Sequence, residues 1–205
     1  MKLTRLATVA ALVAASVAVP ATAAQAHGKA LGTRSLAAVL TAGKVGFDRN
    51  PRDFDILTAA VQAVLKAKPS SPVKVLADGN TALTAFLPTD GAFEKLVQIS
   101  SEKKAFAAVA GLGIGTVEQV LLYHVVPGAT INRSAALKAN GAALTTALGS
   151  TVKVSVHKWC WYKSVTLIDK DPNARNPRVV VFDINKGNKQ IAHAVDRVLR
   201  PADLP

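Results

Sequence analysis

Apolar residues recur at helical spacing in the first half of this chain and at strand spacing in the second, without alternation between the two. Phe54, Leu57, Val61, Val64 and Leu65 step by three and four, with Asp55, Thr58, Gln62 and Lys66 opposite them. That pattern predicts an amphipathic helix, which Pro69 and Pro72 end. Val152, Val154 and Val156 alternate with Lys153, Ser155 and His157, which predicts a half-buried strand. A chain that groups its helices ahead of its strands does not build interleaved βαβ units. The order predicts an α+β fold, or a sandwich with helices packed at one side and edge.

Local signals fill in the elements. Thr33 is placed to cap a short helix over residues 35–41, and Asn50-Pro51 to cap the amphipathic one. A strand over residues 81–87 is stopped by Pro88. Thr89 is expected to cap the next helix, which turns Phe93 inward and carries Asp90 in its first turn. After a helix over residues 102–110, Gly111, Gly113 and Gly115 read as a loop, and Thr116 to Gln119 as a capping box. The helix opened there puts His124 on one face with Val117, Val120 and Leu121. Strands are expected over residues 165–169, 178–183 and 190–199.

The first 26 residues read as an export signal: Lys2 and Arg5, an apolar stretch over residues 6–19, then Ala24-Gln25-Ala26 as a cleavage site. That stretch is shorter than the ~20 residues of a membrane span, so a secreted product without an integral span is expected. Residues 27–50 read as a leader with a short helix, and 51–205 as the domain. With 25 Lys+Arg against 13 Asp+Glu the formal charge is +12. In an exported protein this favours an anionic cell-surface or wall component, a polymer or glycan, over nucleic acid. No basic run is tighter than Lys103-Lys104, so the scattered charge is read first as keeping the protein soluble and only then as a binding surface.

Three segments, in order, resemble the motifs of fasciclin (FAS1) domains. They are Thr84 to Thr89 followed by Ala92-Phe93, then Leu122-Tyr123-His124-Val125-Val126, and then residues 191–201 with His193 and Asp196. Phe54 to Leu57 and Leu144 to Gly149 resemble the family's opening helix and its Leu-x-Gly strand. The resemblance spans about residues 51–204. It implies a β-sandwich wedge with helices packed at one side, an extracellular adhesion or binding role, and no catalytic chemistry or cofactor. The chain departs from the pattern where Lys189-Gln190 stand in place of the usual Asn-Gly. It also departs at Trp159-Cys160-Trp161-Tyr162, which matches no family motif.

Thr84, Phe86, Pro88, Thr89, Phe93, Tyr123, His124, His193 and Asp196 read as scaffold. Phe86 and Phe93 fill the core, His124 needs ring partners once buried, and Asp196 is expected to bond Thr89 or a backbone N–H. No metal site is expected, because His124, His157 and His193 lack ligand spacing. His27, at the expected mature N-terminus, has no second histidine to complete a copper site. No nucleophile–base motif appears, so an enzyme is not expected. Trp159, Trp161 and Tyr162, flanked by Lys158 and Lys163, form the expected partner-binding segment, with one Trp turned inward by strand alternation. Cys160 leaves monomer and disulfide-linked dimer both open. The rival function is a small-ligand binder or enzyme using a pocket near His124 or His193.

Overall fold

A computed structural model of the chain describes residues 30–43 and 46–202. The expected export segment, its cleavage site and His27 lie outside the described residues. From Leu31 onward the described residues belong to one compact unit.

Helices come first. They are α1 (Leu36–Leu40), α2 (Asp55–Ala67), a 3-10 helix (Pro72–Ala77), then, after strand β1 (Leu83–Pro88), α3 (Asp90–Val97), α4 (Glu102–Gly111) and α5 (Ile114–Tyr123). Strand β2 (Val125–Pro127) and the single-turn α6 (Arg133–Ala136) lead into β3 (Ala143–Thr145), β4 (Thr151–Trp159), β5 (Tyr162–Ile168), β6 (Val179–Ile184) and β7 (Gln190–Val195). The architecture is α+β, as the segregated periodicities require. No single helix among the described residues is long and apolar enough to cross a membrane.

Two sheets form. One has the order β2-β1-β7-β6 and the other β3-β4-β5. Within the first, β1 runs parallel to β7, from Leu83 opposite Gln190 to Pro88 opposite Val195. Both strands are buried at every residue, because this sheet is covered on both faces. Leu83, Ala85 and Leu87 pack with Ile56, Val64 and Leu121 of the helices. Phe86 points the other way, joining Tyr123, Val152, Val154, Val165, Leu167 and Leu199 between the sheets. Alternation along one strand therefore supplies two hydrophobic layers. Strand β6 is the uncovered edge. Its apolar run leaves Val180 and Val181 about half exposed and is irregular between Val179 and Ile184, which disrupts a ready pairing edge.

Several helix starts differ from the local reading. Ser35, not Thr33, caps α1 by accepting the Ala38 N–H at 3.2 Å. Helix α5 begins at Ile114 with Gly113 (φ 88°) as its cap, so Thr116 lies inside it. Thr89 sits at the N-cap of α3 but makes no side-chain cap bond; its backbone N–H instead donates to Val195 O at 3.2 Å, extending the sheet. Helix α2 takes its cap from 35 positions away. Asp90 Oδ2 accepts the Asp55 N–H at 3.1 Å and Oδ1 the Ile56 N–H at 2.9 Å. Because α3 lies against this end, Asp55 and Thr58 are buried rather than on a wet face. Local propensity chose the helices, and tertiary contacts chose the groups that satisfy their orphan N–H donors.

Candidate functional site

The motif residues lock the layers together. Tyr123 is fully buried and its hydroxyl donates to Thr151 O at 3.0 Å. Thr84 Oγ1 donates to Ala129 O at 2.7 Å and accepts the Ile131 N–H at 2.8 Å, pinning the loop after β2. His124 is buried; its Nδ1 lies 2.7 Å from Val120 O and its Nε2 accepts the Leu199 N–H at 2.9 Å. A carbonyl only accepts and an amide only donates, so the proton sits on Nδ1 and the ring is neutral. Burial pushes its pKa down to about 4, with the bond to Val120 pulling weakly the other way.

His193 is the mirror case. Its Nε2 donates to Ile131 O at 2.8 Å and its Nδ1 accepts the Asp183 N–H at 3.2 Å. Phe182 meets this ring edge-on at 5.3 Å. Burial again lowers the pKa.

Both imidazoles are therefore spoken for. The cavity beside His193 holds only about 10 Å³ and is lined by Phe86, Val154, Val165 and other apolar groups. The small-ligand pocket expected at His193 has no room, because apolar side chains of both sheets line the small cavity beside that ring, and His124 is buried with both ring nitrogens bonded. A larger cleft of about 760 Å³ runs elsewhere, past Pro51, Arg52, Thr89, Lys95, Val180 and Val181.

Asp196 bonds a backbone N–H, as one of its two expected partners: Oδ1 accepts from Arg178 at 2.8 Å. Thr89 is not the partner, since its side chain caps nothing and its N–H points to Val195. Replacing Asp196 by alanine is expected to lower stability by about 1 kcal/mol, the net worth of one such bond. Urea unfolding at constant m checks this; an unmoved midpoint shows that the bond contributes nothing.

The aromatic segment is a hairpin tip. Trp159 pairs with Tyr162 across β4 and β5, with Cys160-Trp161 as the turn. Cys160 adopts φ 44°, a left-handed value more common for glycine or asparagine. The expectation that one Trp points inward fails: Trp159 is 80%, Trp161 96% and Tyr162 59% exposed. The rungs His157–Ser164, Lys158–Lys163 and Trp159–Tyr162 reach beyond the core residues Val154 and Val165. Three rungs span roughly 10 Å at strand rise, and at the outermost one the Trp159 and Tyr162 side chains are both left exposed among the described residues. Cys160 is exposed and unpaired within the chain.

A second cluster joins residues that the sequence scatters. Asp53, Asp90 and Glu102 place carboxylate oxygens within 4.8 Å of one another, and so do Asp48, Asp53 and Asp55. Asp55, Asp90 and Glu102 are the first residues of α2, α3 and α4. Burial, then the neighbouring Asp53, push the Asp90 carboxyl far above the ordinary carboxylate range against the pull of the Ile56 and Asp55 N–H groups. Burial also raises Glu102, partly offset by the Arg49 backbone N–H. Acid-initiated helices were the only sequence signal for this convergence, and on their own they read as dipole complements.

The motif residues form a hydrogen-bonded scaffold, and the β4–β5 tip carries exposed aromatic and basic side chains. The family model of the fasciclin domain matches residues 55–201, and the chain belongs to the fasciclin domain family. Such domains are in general adhesion or binding modules without catalytic chemistry and are typically extracellular. The chain is also similar to a solved FAS1 domain pair from the insect cell adhesion molecule fasciclin I, at 18% identity and a TM-score of 0.46. That similarity covers 68% of this chain and 45% of that one. No curated protein matches the chain by sequence.

Proposed function

We propose that the protein is a secreted, non-catalytic module that binds an anionic cell-surface or wall component through the β4–β5 hairpin tip. The observation that carries this reading is the exposure of Trp159, Trp161 and Tyr162 on a projection with no core behind it. Burial on a partner is the use of such side chains that repays their contact with water. Lys158 and Lys163 stand directly opposite one another in the ladder. Like charges in that register work against the hairpin by up to about 1 kcal/mol, and an anion lying across them relieves the repulsion. The basic excess of the chain adds a longer-range attraction.

Retention of the protein on isolated cell envelopes across a salt series tests the proposal. Wild type is expected to be held at low salt and released as exposed charges are screened, with a Debye length of about 8 Å at physiological strength. Trp161→Ala is expected to lose retention while its Tm stays put, because a side chain this exposed contributes within about 0.5 kcal/mol to folding. Absence of retention at low salt, or equal retention of Trp161→Ala, overturns the proposal.

A further inference from the structure

We propose that Asp53, Asp90 and Glu102, with Asp48 and Asp55 alongside, hold a divalent cation of calcium size. Five of the 13 acidic residues of a strongly basic chain gather here. Among the described residues the ion pairs are Lys68–Glu118, Lys186–Asp183 and Arg200–Asp171, and none of them neutralises this cluster.

Glu102 supplies an independent sign. It is 3% exposed, its carboxylate belongs to the cluster, and neither of its oxygens meets hydrogen-bond geometry with any donor among the described residues, the nearby Arg49 backbone N–H included. Asp55 Oδ2 and Asp53 Oδ1 are likewise buried without a partner. A buried carboxylate without a counterion among the described residues is costly. The three helix N-termini offset only part of the charge, at about +0.5 each.

The donor chemistry selects the ion. All the ligands are carboxylate oxygens, which suit hard cations. Oxygens bound to one Ca²⁺ at about 2.3–2.6 Å are separated by no more than roughly 5 Å, and the Asp53, Asp90 and Glu102 oxygens meet that limit. Mg²⁺ demands a tighter octahedron and keeps several waters. Asp90 has lone pairs left after accepting the Asp55 and Ile56 N–H groups, so capping α2 and ligating the ion are compatible. A cleft of about 650 Å³ lined by Arg49, Pro51, Ser101 and Glu102 gives an ion a way in. The site lies apart from the hairpin tip in the chain, and its test does not depend on envelope binding.

The experiment is thermal unfolding and calorimetric titration of the chelator-treated full chain with CaCl2 alone. Titration runs to roughly 10 mM, a hundredfold over a Kd of about 10⁻⁴ M. The expected result is a saturable rise in Tm of about 5–10 °C and a one-site heat. Glu102→Gln and, separately, Asp53→Asn are expected to abolish both while unfolding no earlier than the ion-free wild type, since each removes a buried charge. Four results overturn the proposal: no shift and no heat, the same shift from KCl at equal ionic strength, an equal response to MgCl2, or a calcium response retained in the variants.

Discussion

Replacing His124 by alanine is expected to destabilise the domain by about 3–5 kcal/mol, most of the margin by which a typical domain is folded. The imidazole joins α5 to the closing segment through Val120 O and the Leu199 N–H. Its loss opens a cavity and strands a buried donor in the same step. Urea denaturation of the two proteins at neutral pH measures the effect; a change under about 1 kcal/mol would show that the closing segment is anchored by other contacts.

The same residue predicts a pH dependence. The folded pKa of about 4 lies below the unfolded value of 6.5, so between these limits the unfolded chain binds a proton that the folded one refuses. Stability is therefore full above about pH 6.5 and falls as pH drops toward 4. The loss from this group is about 3 kcal/mol over that window. His193, lowered for the same reason, acts in the same sense. His124→Ala is expected to show a shallower slope of stability against pH over this range. An identical slope in both proteins would sink the assignment of a neutral, Nδ1-protonated ring.

Gln190→Ala is the second large effect, expected at about 3–5 kcal/mol from three backbone groups left unpaired. Gln190 is fully buried at the start of β7. Its Oε1 accepts the Leu36 N–H at 2.8 Å, and its Nε2 donates to Val75 O at 2.7 Å and Asp78 O at 2.8 Å. One side chain thus ties α1 and the 3-10 helix to the central sheet. Hydrogen exchange at Leu36 should accelerate along with the fall in denaturation midpoint. Gln190→Glu should be no better, because it removes both donors and buries a charge. A Gln190→Ala protein with unchanged Leu36 protection would show that this amide has another shield. The chain reverses just before Gln190, where Asn185 and Gly187 take positive φ of 64° and 87°.

Much of the architecture was legible in the residues. The three- and four-step spacing from Phe54 to Leu65 located α2, the alternation at Val152 to Val156 located β4, and Pro88 marked the end of β1. Of the motif residues expected to be scaffold, Phe86, Phe93, Tyr123, His124 and His193 are all buried. Caps were read less well. Thr33, Asn50, Thr89 and Thr116 are plausible N-caps by local chemistry, yet α2 is capped by Asp90 and α5 by a glycine. A helix terminus needs an acceptor near its N–H groups, and a chain neighbour is only one source of it. The candidate sites depended still more on packing. Strand alternation required one Trp of the hairpin to face inward, but an inward face exists only where another layer covers it.

The residues alone determined the segregated periods, and with them an α+β class, the positions of the main elements and the apolar face of each. Those properties follow from sterics and hydrophobicity within a few residues of chain. Only the tertiary structure decided that β1 lies parallel to β7 across about a hundred residues, that Gln190 gathers three segments, that the starts of α2, α3 and α4 bring their acids together, and that the Trp159–Tyr162 tip overhangs the core. Each of these depends on which distant surface closes over a given face. A periodic pattern specifies that a face must be covered, whereas the choice of its cover is settled by the packing of the layers together.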